Sequence, residues 1–263
     1  MSVVAVLTAA GSGTRLGHAL PKALVPLRGE PLVLHAARRL LAAGGVRALV
    51  VTAPANHLDA FVAALAPVGA GTGGVGVPAD GSTPVRVVAG GATRQASVAA
   101  GLAALRDLAD PTDGAAATGR VVVADDTVVL VHDAARPFGP PELVARVVAA
   151  VADGHDAVVP GLPVTDTVKR VGPAQAGAAP VVGTVERAEL RAVQTPQGFR
   201  LGLLRRAHDE AARHADDESL AATDDAGLVE RLGRTVWVVP GDERAAKITT
   251  ARDLRVAELL GDA

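Results

Sequence analysis

Residues 3–22 read VVAVLTAAGSGTRLGHALPK, and this stretch decides the fold. Val3 to Leu7 is apolar throughout, the pattern of a strand covered on both faces. A loop follows with three glycines, Gly11, Gly13 and Gly17, whose missing Cβ atoms let backbone N–H groups come close to a bound anion. Arg15 and Lys22 bring two cations to the same loop. The loop departs from the dinucleotide-binding fingerprint: Arg15 intervenes and the third glycine comes a residue late. It also lacks the Gly-Lys-Ser/Thr of a P-loop. A glycine-rich connection with two surface cations has the same composition, so the rest of the chain must separate the two readings.

Outward from this loop, short β-like runs alternate with helical patterns. Val3–Thr8, Ala48–Thr52, Val85–Ala89, Val128–His132, Ala157–Pro160 and Val236–Pro240 read as strands. Pro31–Ala43, Asn56–Ala66, Gln95–Arg106 and Pro141–Ala152 read as helices, and a last one falls at Leu254–Leu260. In the fourth, Leu143, Val144, Val147, Val148 and Val151 recur at helical spacing. Pro31 and Pro141 suit helix first turns and Gly44 a helix end. The alternation implies a single α/β domain over residues 1–263, a mostly parallel sheet flanked by helices that binds ligands at the carboxyl ends of its strands. Gly161–Ala192 breaks the rhythm with Val-Lys-Arg-Val, a Gly/Pro/Ala turn and Val-Val-Gly-Thr-Val. It reads as a protruding β-hairpin arm, marginal alone and satisfied most simply by dimerisation. Val68–Pro84 and Asp107–Gly119 read as polar or glycine-rich surface insertions.

Of the 263 residues, 49% are hydrophobic and 2% aromatic, so the core is built of small aliphatic side chains, with Trp237 and the three phenylalanines expected inside it. A net charge of −2 argues against nucleic-acid or membrane binding through bulk charge, and any anion site must be local. The absence of cysteine excludes disulfides and thiolate chemistry. No basic leader precedes the first strand and no apolar run reaches the roughly 18 residues of a membrane span, so a soluble, cytoplasmic protein is expected. Lysine is scarce: Lys22, Lys169 and Lys247 stand against 23 arginines. Such a bias draws attention to the places where a compact ammonium was kept in preference to a planar fork.

A second informative segment, Val131-His132-Asp133-Ala134-Ala135-Arg136-Pro137, ends a strand. Asp133 there suits a ribose hydroxyl or a magnesium ion, with Arg136 beside an anion; it equally suits a turn cap paired with Arg136. Thr223-Asp224-Asp225 reads as a helix N-cap, and Thr250 with Asp253 as a capping box. His18, His35, His57, His155, His208 and His214 have no spacing suggestive of a metal site or triad and read as structural or solvent-facing.

In order along the chain come AAGSGTRLG…PK (9–22), GGATRQASV (90–98), VHDAARP (131–137), PVTDTVK (163–169), TPQGF (195–199), TDDA (223–226) and KIT (247–249). This series, spanning nearly the whole chain, resembles the 2-C-methyl-D-erythritol 4-phosphate cytidylyltransferases of the non-mevalonate isoprenoid pathway. The resemblance implies a Rossmann-like nucleotide-transferase fold, a homodimer joined through the arm, CTP as donor, an alditol phosphate as acceptor and Mg2+ as cofactor. It implies that Arg15 and Lys22 are the catalytic cations. Ala9, Ala10, Gly11, Gly13, Gly91, Ser97, Asp133 and Ala134 would line the nucleotide, with Asp133 also at the metal. Arg136, Thr195, Thr223 and Lys247 would meet the acceptor, and Thr167 and Arg187 would reach from the arm into the partner subunit's site. The chain departs from the family's usual pattern at Ala245, where relatives usually carry Asn, at Ala92, where an acid can occur, and in a Val68–Pro84 loop longer than in most relatives. Two other readings stay open: a cytidylyltransferase for another alditol phosphate, such as ribitol 5-phosphate, and a nucleotide-binding regulatory protein without turnover.

Overall fold

The structure, a computed structural model, describes residues 2–11, 20–71, 83–107, 123–212 and 222–260. Arg15, Gly13, the Asp107–Gly119 insertion beyond its first residue and most of the Val68–Pro84 loop lie outside the described residues.

In chain order the strands are β1 (Val3–Thr8), β2 (Pro26–Leu27), β3 (Glu30–Pro31), β4 (Val46–Ala53), β5 (Ala70–Gly71), β6 (Val85–Ala89), β7 (Val128–Asp133), β8 (Ala157–Pro163), β9 (Lys169–Val171), β10 (Val181–Thr184), β11 (Arg191–Val193), β12 (Gln197–Arg200) and β13 (Trp237–Pro240). The α-helices are α1 (Leu32–Ala42), α2 (Leu58–Leu65), α3 (Arg94–Asp107), α4 (Pro141–Ala152), α5 (Leu201–Glu210), α6 (Asp225–Arg231) and α7 (Ala251–Leu260). The central sheet runs β8-β12-β7-β1-β4-β6-β5, with β11 and β13 also pairing β8. The β1, β4, β5, β6 and β7 pairings are parallel and β13 lies parallel to β8, whereas β12 is antiparallel to both β7 and β8.

Both faces of β1 are buried, as its unbroken apolar run requires. Val3, Ala5 and Leu7 join a core with residues of α1, α2 and α4, among them Leu40, Phe61 and Val147. Val4 and Val6 join a second core with residues of α3, α5 and α6, among them Val98, Leu204 and Val229. Fully burying one such side chain contributes about 1.5–3 kcal/mol, so the two layers clamp β1 at the centre of the molecule.

The chain passes from β1 outward to β4 and β6, then crosses back to lay β7 on the other side of β1. The order therefore reverses between β1 and β7, and the crevice beyond the carboxyl ends of these two strands is where an open α/β sheet binds ligands. Register places Thr8 opposite Asp133 there.

Two expectations are adjusted. The hairpin is shorter than Gly161–Ala192, because Gly161–Pro163 belongs to β8 and Arg191–Ala192 to β11 of the main sheet; the free arm is β9 paired antiparallel with β10. Phe61 and Phe199 are fully buried, but Trp237 is half exposed. It lies on β13, for which β8 is the only partner strand among the described residues, and its ring packs against His155 with centroids 4.3 Å apart.

Candidate active site

A cavity of about 560 Å³ opens at the β1/β7 switch point. Its floor is Thr8 to Gly11, continuing β1. One wall is Gly91–Gln95 and Ser97 at the start of α3, and another is Asp133–Ala135 at the end of β7. Lys22, Thr223 and Lys247 complete the rim. Three of the residues lining it are cationic, Lys22, Arg94 and Lys247, and one is acidic, Asp133. A chain with a net charge of −2 thus concentrates positive charge in one place.

The start of α3 is built for close approach. A Cβ on Gly90 would stand 2.7 Å from Ala10 Cβ, and one on Gly91 2.3 Å from Ala96 Cβ, so glycine at 90 lets the turn pack against the β1 loop and glycine at 91 lets it fold onto the first turn of α3. Thr93 Oγ1 accepts from the Ala96 N–H at 3.0 Å, capping the helix. Ser97 donates to the Thr93 carbonyl at 2.8 Å and lies 3.3 Å from that of Gly91, which fixes its hydroxyl beneath the turn.

Asp133 is the electrostatic centre. Lys247 Nζ donates to its Oδ2 at 2.7 Å; Arg94 Nε and the Thr8 hydroxyl donate to its Oδ1 at 3.3 and 3.2 Å. Burial alone would raise this carboxyl, but Arg94, then Lys247 and Arg136, outweigh it and hold it well below the usual carboxylate range. Arg94 in turn donates from Nη1 to Asp225 Oδ2 at 2.7 Å, and Asp225 Oδ1 is 2.9 Å from His208 Nε2. Asp225 is also buried and also held below its ordinary range, Arg94 being the main cation responsible.

His132 supports the strand end from behind. Burial pushes its imidazole down to about 4, so it is neutral at pH 7. Its Nε2 faces the Arg136 carbonyl at 3.2 Å and must carry the proton. Its Nδ1 is then the acceptor of the Thr195 hydroxyl at 2.9 Å, a tautomer assigned from this network. The same Thr195 oxygen accepts from the Asp133 N–H at 3.1 Å.

Of the residues singled out from sequence, Ala9, Ala10, Gly11, Lys22, Gly91, Ser97, Asp133, Ala134, Thr223 and Lys247 converge on the cavity. Thr195 is buried behind it, engaged with His132 and Asp133. Arg136 spends its guanidinium on the carbonyls of Ala245 at 2.7 Å and Val193 at 3.2 Å. Ala245 thus contributes its backbone oxygen and is itself fully buried. Thr167 and Arg187 are exposed on the arm and do not line this cavity; Arg187 bonds the Thr165 carbonyl. Sequence reading gave no role to Arg94 or Asp225 as a pair. Arg94 stood inside a quoted motif, but its partner lies 131 residues away and nothing local reveals it.

Among the described residues no group of three or more His, Cys, Asp or Glu side chains could cage a metal ion. Asp133 remains a hard, fully charged oxygen ligand beside a hydroxyl. That donor set fits a divalent cation which takes its other ligands from phosphate and water.

The model of the 2-C-methyl-D-erythritol 4-phosphate cytidylyltransferase family matches residues 3–261. The protein of that name from Nocardia farcinica is 48% identical over 261 residues, which cover 99% of this chain and 94% of its own. That from Saccharopolyspora erythraea is 48% identical over 258 residues, 98% of each. The crystal structure of the protein of that name from Thermus thermophilus covers 100% of both chains at 35% identity, with a TM-score of 0.68.

Proposed function

The chain belongs to the 2-C-methyl-D-erythritol 4-phosphate cytidylyltransferase family, and from that membership we infer how its cleft works. It is a CTP-dependent nucleotidyltransferase that moves a cytidylyl group from CTP to 2-C-methyl-D-erythritol 4-phosphate, a step of the non-mevalonate route to isoprenoid precursors. A P–O bond forms between the acceptor phosphate and the α-phosphorus of CTP. The bond to the β-phosphate bridging oxygen breaks, and pyrophosphate leaves with the electron pair.

The acceptor phosphate needs no general base, because its second pKa of about 6 leaves it mostly dianionic at neutral pH. The barrier lies in bringing two polyanions together, so positioning and charge stabilisation are what the protein must supply. The observation that carries this reading is the convergence of two of the three lysines, Lys22 and Lys247, on one cavity at the sheet's switch point. Lys22, with Arg15 by family resemblance, neutralises the α-phosphate and the departing pyrophosphate. Lys247 exchanges Asp133 for the acceptor phosphate. Gly91 and Ser97 border the base, and Ala9, Ala10, Gly11 and Ala134, with Gly13 by family resemblance, the nucleotide. Thr223 faces the polyol, with Thr195 and Arg136 holding the wall behind it. A Mg2+ ion would be held by Asp133 and would screen the phosphate charge.

The arm supports a homodimer: β9 and β10 expose Val171, Val181 and Val182, each more than half accessible. In that assembly Thr167 and Arg187 would enter the partner subunit's site. The reaction takes place in the cytoplasm, where CTP is made.

The test is pyrophosphate release by the purified protein with CTP, Mg2+ and a panel of alditol phosphates. Turnover with 2-C-methyl-D-erythritol 4-phosphate is expected. Turnover with ribitol 5-phosphate alone, or nucleotide binding without turnover, would overturn the assignment.

A further inference from the structure

We propose that Arg94 is a positioning residue for cytidylyl transfer, clamping Asp133 from the α3 side so that Lys247 stays exchangeable. The proposal rests on the cytidylyl-transfer reading, since only a phosphate arriving in the cleft offers Lys247 a second partner.

The residues form one continuous chain, His208–Asp225–Arg94–Asp133–Lys247, with contacts of 2.9, 2.7, 3.3 and 2.7 Å. It joins α5, α6, α3, β7 and the segment before α7. Asp225 does not line the cavity and its side chain is 1% exposed, so it has no direct route to a substrate. Its two oxygens are spent on Arg94 and His208. Burying an ion pair is a poor source of stability, because desolvation cancels much of the attraction. What this pair does supply is a fixed direction for the guanidinium. With Nη1 anchored on Asp225, Nε is left facing Asp133 Oδ1.

The consequence falls on Lys247. Asp133 is shared between two cations, one on each oxygen. With Arg94 in place, the carboxylate is half neutralised and Lys247 can pass to a phosphate at modest cost. Without it, Asp133 is an unshared anion that grips Lys247 harder and repels the incoming polyanions. Lysine cannot substitute, because an ammonium lacks the planar fork that spans two carboxylates at once.

The experiment compares wild type, Arg94→Gln, Arg94→Lys and the double variant Arg94→Gln/Asp225→Asn. It measures kcat, KM for each substrate and melting temperature. Expected is a kcat about 10–100-fold lower in both single variants, the range seen when the outer partner of a ligating group is lost. KM for the alditol phosphate should rise more than KM for CTP. In the double variant neither buried charge is left unpaired, so melting temperature should recover while kcat stays low. That split separates positioning from fold maintenance and holds even where Arg94→Gln folds poorly. Wild-type kcat in Arg94→Gln, or recovery of kcat together with melting temperature in the double variant, overturns the proposal while leaving the family reading intact. Wild-type protein that releases no pyrophosphate overturns both.

Discussion

At the scale of single residues, the site is a buried carboxylate, Asp133, shared by Lys247 and Arg94. Lys247→Ala should lower kcat/KM for the alditol phosphate by roughly 10²–10³-fold, or about 2.7–4 kcal/mol, by analogy with the loss of one transition-state donor. Initial-rate kinetics check this. Melting temperature should change little, because Asp133 keeps Arg94 and Thr8. His132 gives a prediction of different kind. It is buried neutral, with its proton affinity falling from the ordinary 6.5 to about 4 on folding. Between those values the unfolded chain binds the extra proton, so stability falls as pH is lowered through this window and is fully present above it. The loss approaches about 3 kcal/mol near pH 4, at about 1.4 kcal/mol per unit. Thermal melts from pH 7 to 4 should show a shallower decline in His132→Gln than in wild type; equal slopes would rule out His132 as the titrating group. Residue types at the site were legible in the sequence through the order of the motifs that hold them, because the scarcity of lysine picks out Lys169 on the arm as well and a strand-end Asp can equally cap a turn. Their second partners were not legible, since Arg94 meets Asp225 and Thr195 meets His132 only after the sheet has closed.

At the scale of elements, α3 sets one wall of the cavity. Gly101 is where it rests on β1: an added Cβ would meet Val6 Cγ1 at 2.5 Å and Thr52 Cγ2 at 3.3 Å, both branched and buried. Gly101→Ala should push α3 outward, costing about 1–3 kcal/mol of overpacking strain. Because Ser97 and Gly91 move with it, KM for CTP should rise as well; denaturant melts and nucleotide titration measure both. The parallel strands other than β5, which fell inside the Val68–Pro84 loop reading, and α1 to α4 followed from runs and periodicity, and Thr250 with Asp253 forms the reciprocal cap expected of it. The antiparallel β12 and the helix α5 after it escaped notice. No Gly, Pro, Asn or Asp separates Arg200 from Leu201 at their junction, so strand passes to helix without punctuation. Trp237 was misplaced in the core because an apolar run does not say whether its strand is flanked on both sides.

At the scale of the whole molecule, a sheet whose order reverses between β1 and β7 collects lysines from opposite ends of the chain, and the proposed homodimer would extend the same design through the arm to a second copy. Val182→Asp, on an exposed arm strand, should convert the proposed homodimer to a monomer with little turnover, and the melting temperature should lose only its dependence on protein concentration. Light scattering after gel filtration reads this directly, and an active wild-type monomer would contradict it. The strand–helix alternation anticipated ligands at the carboxyl ends of the strands, but not the point where the order reverses, because strand order is set by which strands pair and periodicity does not record that. The most direct measurement of all compares pyrophosphate release with CTP, Mg2+ and 2-C-methyl-D-erythritol 4-phosphate for wild type and Lys22→Ala, with CTP affinity measured on both. Turnover should fall roughly 10²–10³-fold while affinity changes little, as befits a cation that acts on charge developing in the transition state. Undiminished turnover in Lys22→Ala would contradict the claim that the cleft works by neutralising two crowded polyanions.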